Sequence, residues 1–334
     1  MSDLALGAAF VLAAAISVAT SWVLVARLER VGARLGLSEA LLGMLAALAA
    51  DAPEITAAVT ALVRHDQRVG AGVVIGSNVF NLAALLGLAG IVAGEVALHR
   101  RVIELGGAVA LWTCVVTLAL VTGVCSPLVG LLAVLAVLVP YAVILGMRHD
   151  RLARLRLPAT WASWLAAAIS EEETELQGAI HPARGRARDA LIAAGAVVVV
   201  VGASVVMERT ASELGSRHAI PGIIVGALIL AAVTSLPNAV AAIYLAARGR
   251  GAAVLSTGLN SNLFNILAGL LIPTTIFGLG APSGETTFVA ASYMAMTVLT
   301  LLCAYISRGL HRSTGLVIVG AYLLFAGVLI LAAT

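Results

Sequence analysis

Ten apolar runs, each near the roughly 20 residues that carry a helix across a bilayer, take up most of this chain. A backbone in hydrocarbon must satisfy its own polar groups, so only helices and closed barrels span a membrane. The alternating segments of about ten residues that mark a barrel do not occur in the sequence. The fold class is therefore read as an all-α polytopic membrane protein of ten transmembrane helices. The spans are expected at 4–26, 36–63, 69–97, 102–122, 127–147, 189–207, 219–247, 252–279, 286–306 and 314–333. Only 11% of the 334 residues are charged, against about 25% in a soluble domain. The first run follows Met1-Ser2-Asp3 without a basic leader and is too long for a signal core, so it is read as a membrane helix.

Two of these runs are broken in the same way. The first carries Asp51-Ala52-Pro53-Glu54, and the next run carries Gly76-Ser77-Asn78-Val79-Phe80-Asn81. Further along, Ser235-Leu236-Pro237-Asn238 is followed by Asn260-Ser261-Asn262-Leu263-Phe264-Asn265. Glu54 and Asn81 are 27 positions apart, and so are Asn238 and Asn265. At an offset of 184, Pro53 also matches Pro237, Ala57 matches Ala241, Arg64 matches Arg248, and Ser77 matches Ser261. Two related halves of five spans each must insert with opposite orientation. The expected architecture is thus an inverted repeat with proline-broken helices two and seven, its site near the midplane where they meet. The domains are 1–147 (first repeat), 148–188 (connecting loop) and 189–334 (second repeat).

Charge sets the orientation. All 20 basic residues are arginine; sixteen lie in the odd-numbered connections and four in the even-numbered ones. Without the long loop the ratio is still nine to four. By the positive-inside rule both termini are expected outside and the 148–188 loop in the cytoplasm. That loop holds a segment from Leu157 to Ile169 with Trp161 and Trp164, read as a short interfacial helix, and the acidic run Glu171-Glu172-Glu173-Thr174-Glu175, read as a solvated hinge. The net charge of +3 comes from arginines between spans and forms no patch interleaved with aromatics, so nucleic acid is not an expected partner. Cys114, Cys125 and Cys303 have no metal-ligand spacing and are read as small apolar residues.

The chemistry concentrates at the breaks. Each proline removes a backbone donor and disrupts the turn before it. Freed carbonyls near 49–50 and 233–234 then need partners, and a cation is one. Glu54 deep in an apolar run is a functional-site candidate by default. Asp51 lies one helical turn away on much the same face. Two carboxylates so close either share a proton or gather around a cation. Hard cations such as calcium and sodium take oxygen ligands; Ser77, Asn81, Thr234, Ser235, Asn238, Ser261 and Asn265 supply neutral ones. Asn78 and Asn262 suit bonding freed backbone as well as ligation.

With these residues the chain resembles the cation/calcium antiporter superfamily, whose best-known members are sodium/calcium exchangers. That family carries two inverted repeats, each with a pattern close to Gly-Thr-Ser-x-Pro-Glu and then Gly-Ser-Asn-x-Phe-Asn or -Asp. The resemblance covers nearly the whole chain. It implies electrogenic or proton-linked exchange of cations by alternating access, with Glu54 and Asn81 from the first repeat and Asn238 and Asn265 from the second at the ion. Hydroxyl positions carry over to Ser77, Thr234, Ser235 and Ser261. The chain departs from the pattern at Asn238, where the family has glutamate, and at Ala50-Asp51, where it has Thr-Ser. One carboxylate is lost and another gained, both remaining ones in the first repeat.

The leading expectation is a secondary active antiporter exchanging calcium for sodium or protons. Sodium/proton or other monovalent exchange is the alternative, and an ion channel or transport-dead ion sensor the third. Its partners are inorganic cations (Ca2+, Na+, H+) as transported ions and the lipid bilayer, with no cofactor; the oligomeric state is left open, a monomer being the simplest case. An enzyme is not expected: Asp51 is the only aspartate well inside a span, and no His-Glu-x-x-His motif occurs. The Lys-free, Ala-, Gly- and Arg-rich composition points to a GC-rich bacterial genome and a bacterial plasma membrane.

Overall fold

The computed structural model describes residues 1–37, 39–145, 160, 163–165, 167–168, 185–247 and 251–333. Its architecture is helical, and the expected runs become α1 (Asp3–Arg34), α2 (Glu39–Ala50), α3 (Ala52–Val63), α4 (Gln67–Ala93), α5 (Arg100–Val121) and α6 (Pro127–Leu145). Then follow α7 (Ala187–Arg217), α8 (Gly222–Thr234), α9 (Leu236–Ala246), α10 (Ala253–Phe277), α11 (Gly284–Ser307) and α12 (Arg312–Ala333). Among the described residues, eight helices are long and apolar enough to cross a membrane, ten if each bent pair is counted as one span. The bends are 51° between α2 and α3 and 44° between α8 and α9. The acidic run 171–175 and Trp161 lie outside the described residues, while Ser163, Trp164 and Leu165 are helical.

Burial sorts the helices into a centre and a rim. In its apolar stretch α4 is 94% buried and α10 72%, whereas α12 is 17% and α1 22%. The two central helices carry the Ser-Asn-x-Phe-Asn runs, because polar groups leave lipid for the protein interior. Close packing there relies on small residues. A methyl on Gly76 would run into the backbone of Ala227, and one on Gly226 into the carbonyl of Val69, so α4 and α8 touch backbone to backbone. Each central helix passes through a wide π turn at the end of its motif, Leu82–Leu88 in α4 and Asn265–Leu271 in α10.

The first helices of the two halves run antiparallel: Ser17 of α1 meets Ser204 of α7 (3.4 Å), and Arg27 meets Asp189 (2.6 Å). One feature escaped the sequence reading. The span expected to reach 97 stops at Ala93, because Gly94 takes φ +82° and turns the chain. Glu95–Ala97 then pairs antiparallel with Gly309–His311, with Val96 opposite Leu310. The pair ties the end of α4 to the α11–α12 connection.

Gly76→Ala is expected to lower the melting temperature of the detergent-purified protein, at the cost of about 1–3 kcal/mol typical of an overpacked core. Gly195→Ala, inside α7 with nothing within 4 Å of the added methyl, is the control and should leave it unchanged or raise it slightly, since alanine favours a helix over glycine. Equal melting temperatures would show that the α4–α8 contact is looser than described.

Candidate functional site

Both breaks fall where the polar residues sit. α2 ends at Ala50, Asp51 occupies the joint with φ −80° and ψ −4°, and α3 restarts with Pro53 in its first turn. Proline is well placed there, since its missing N–H would have no helical partner in a first turn. Glu54 lies in that same turn, so the partial positive charge of the α3 N-terminus faces a carboxylate. The second half repeats the joint with Ser235 between α8 and α9 and Pro237 in the first turn of α9.

The two joints meet across the interior. Asp51, Glu54, Ser77, Asn81, Ser235, Ser261 and Asn265 are fully buried, and Thr234 and Asn238 nearly so. Ser235 donates to Glu54 Oε1 (2.8 Å) and Ser261 donates to Asp51 Oδ1 (2.5 Å). The Asn238 amide donates to Asp51 Oδ1 (2.7 Å) and lies 3.4 Å from Glu54 Oε1 and 3.3 Å from Ser261 Oγ. Asn81 donates to Ser261 Oγ and to Asn262 Oδ1, both at 3.1 Å. Six expected site residues are thereby joined in one network. Asn265 joins through Asn78 Oδ1 (3.2 Å). Thr234 does not join it: its hydroxyl donates back to the carbonyls of Leu230 (2.8 Å) and Ala231 (3.3 Å).

What these bonds leave over is chemically uniform. Asp51 Oδ2, Glu54 Oε2, Ser77 Oγ, Asn81 Oδ1, Asn238 Oδ1 and Asn265 Oδ1 are buried with no hydrogen-bond partner. All six are oxygens, and the amide NH2 groups beside them are already used. Buried acceptors are ordinarily paired. A cluster of unpaired oxygens with two carboxylates is the donor set that hard cations take. Among the described residues no group of three or more His, Cys, Asp or Glu gathers.

The other buried carboxylates provide the contrast. Asp189 faces Arg27 at 2.6 Å and Arg30 at 3.8 Å. Glu208 faces Arg64 at 3.5 Å and accepts from Ser212 at 3.0 Å. Asp51 and Glu54 have no ion pair among the described residues. The sequence reading missed Glu208, one residue beyond the expected end of its span; an acidic residue four positions before a serine on an apolar helix was the available signal.

Asn78 and Asn262 take the backbone role. Asn78 donates to the Asn262 carbonyl (2.9 Å) and Asn262 to the Asn78 carbonyl (3.2 Å), a reciprocal clasp between α4 and α10. The bonds Asn81–Asn262 and Asn265–Asn78 form a second reciprocal pair. The Tyr293 hydroxyl of α11, also unforeseen, sits beside Asn78, Asn262 and Cys114 and completes no hydrogen bond. A cavity of about 650 Å³ opens by the start of α4, lined by Gln67, Ala71, Gly123 and Gly280 among others. No residue of the carboxylate cluster lines it, and Asp51 and Glu54 are fully buried.

Comparison with known proteins follows the same lines. The sequence profile of the family described as sodium/calcium exchanger protein matches residues 5–149 and 190–331. The sodium/potassium/calcium exchanger Nckx30C of Drosophila melanogaster is 26% identical over 141 residues, which cover 40% of this chain and 16% of the fly protein. The match therefore spans about a sixth of that relative's length. Among solved structures, the H+/Ca2+ exchanger CAX superposes with a TM-score of 0.70 at 14% identity, covering 100% of this chain and 87% of that one. The sodium-calcium exchanger NCX_Mj superposes with a TM-score of 0.60 at 17% identity, covering 97% and 98%. These likenesses establish the fold.

The clasp is measurable by a double-mutant cycle. Asn78→Ala and Asn262→Ala each strand partners in the interior and should cost about 1–3 kcal/mol. Their effects should fall short of additivity by at least about 0.5 kcal/mol. Strict additivity would mean that the two amides act independently.

Proposed function

The chain belongs to the sodium/calcium exchanger protein family, and from that premise we propose that it is a secondary active cation antiporter exchanging calcium for sodium or protons by alternating access. The transported ion sits among Asp51, Glu54, Ser77, Asn81, Ser235, Asn238, Ser261 and Asn265, with Thr234 at the edge. One observation carries the reading. Two buried carboxylates, with no counter-charge among the described residues, stand in the same buried polar motifs as four neutral oxygens that have no hydrogen-bond partner. Each carboxylate uses one oxygen on protein donors and keeps the other free. This is the arrangement expected of ligands already oriented for an ion.

The same geometry supports two inverted five-helix repeats with broken helices two and seven. The reciprocal bonds of Asn78 with Asn262, and of Asn81 and Asn265 with the opposite motif, are those expected if a two-fold axis relates α4 and α10. The antiparallel course of α1 and α7 agrees with it. Alternating access then follows from swapping the two halves' arrangements around a fixed site. The arginine distribution favours both termini outside and the 148–188 loop in the cytoplasm of a bacterial cell.

The monovalent alternative draws on Asn238. A site that has lost a second-repeat carboxylate suits sodium or protons alone if Asp51 does not ligate. The hydrogen bonds from Asn238 and Ser261 to Asp51 favour the calcium reading, because they draw Asp51 across to the second repeat.

In proteoliposomes of the purified protein, calcium uptake is expected when an outward sodium or proton gradient is imposed. Glu54→Gln should reduce it at least tenfold, to about the leak of empty vesicles, with folding retained. Sodium movement coupled to protons without calcium movement would establish the monovalent alternative instead. Normal calcium uptake by Glu54→Gln would remove Glu54 from the site.

A further inference from the structure

Resting on the antiport reading above, we propose that the cycle is electroneutral, one divalent cation exchanged for two monovalent cations, and that Asn238 fixes this ratio. The inference comes from counting charge in the interior. Among the described residues the buried charged side chains are Asp51, Glu54, Asp189 and Glu208. Asp189 and Glu208 each face an arginine. The site is left with two negative charges, and every other oxygen in it is neutral.

An occluded site carries its load through a medium where net charge costs several kcal/mol. The loaded state is neutral only with two positive charges. One divalent cation supplies them in one direction, and two monovalent cations supply them in the other. Each half-cycle then moves no net charge, so the membrane potential has nothing to act on.

Asn238 enforces the limit by occupying space and donors. Its NH2 group lies between the two carboxylates, 2.7 Å from Asp51 Oδ1 and 3.4 Å from Glu54 Oε1. It serves there as a tethered donor, alongside Ser261 at Asp51 Oδ1 and Ser235 at Glu54 Oε1. A carboxylate at 238 would reverse both effects. It would add a third negative charge and put an acceptor where Asp51 Oδ1 and Glu54 Oε1 now have a donor, so an additional cation would be needed for neutrality. Exchange of one divalent cation for three monovalent ones would then carry net charge. Asn238→Asp keeps the side-chain size and makes that change alone.

The test is the steady-state accumulation of calcium in wild-type proteoliposomes, driven in separate arms by sodium and by proton gradients. The membrane potential is set with valinomycin and a potassium gradient, and the same gradient without valinomycin is the control. Electroneutral exchange predicts an accumulation ratio that does not respond to potential. A cycle carrying one net charge would change it by about 50-fold per 100 mV. The arm that drives uptake identifies the monovalent ion as sodium or proton. Calcium exchange that follows the potential would overturn the inference while leaving antiport intact. No exchange in any arm would refute the antiport reading and this inference with it. Asn238→Asp should make accumulation potential-dependent. An active variant that stays indifferent to potential would show that position 238 does not set the ratio.

Discussion

Two carboxylates buried without a counter-charge are the constraint around which this protein is organised. Asp51 and Glu54 lie in the middle of what would otherwise be an unbroken apolar helix, fully buried and paired with no arginine among the described residues. A burial of this kind is expensive in isolation. The surrounding features each reduce it. The break at Asp51 turns a helix N-terminus toward Glu54. Donors from α8–α9 and α10 reach one oxygen of each acid. The remaining demand, six buried oxygens of the two motif pairs without a hydrogen-bond partner, is what a mobile cation would satisfy on the proposed reading.

The packing follows from bringing these donors within reach. Backbones approach closely where α4 meets α8, through Gly72, Gly76 and Gly226. The wide turns after Asn81 and at Asn265 shift each central helix's register beyond its motif, as π turns often do at functional sites. The Asn78–Asn262 clasp fixes the crossing without using any atom of the carboxylates. Symmetry in the scaffold thus coexists with asymmetry in the charge. The two halves offer matching amides and hydroxyls, but both acids come from the first and extend to donors of the second.

Much of this was legible in the residues. Apolar runs separated by arginines mark the helices, because lipid leaves a chain few choices. Asp51, Glu54, Asn81, Ser235, Asn238 and Ser261 were expected together from the repeated motifs, and in the structure they form one network. The rest depended on three-dimensional partners that no local pattern encodes. The Glu95–Ala97 and Gly309–His311 pairing joins segments more than two hundred positions apart. Whether Thr234 faced the cluster or its own helix was decided by a rotamer, and its hydroxyl turned to Leu230. Asn78 fitted two roles equally well until the reciprocal bond to Asn262 was seen. Glu208 needed Arg64 from a different helix to become intelligible.

The central claim is that Asp51 and Glu54 jointly hold the cation. Equilibrium calcium binding to the purified protein tests it most directly, with wild type, Asp51→Asn and Glu54→Gln measured side by side. The account predicts one ion per chain in wild type and at least about tenfold weaker binding in each variant, since each loses a charged ligand. Binding that is unchanged in both folded variants would contradict it, and would place the ion elsewhere in the chain.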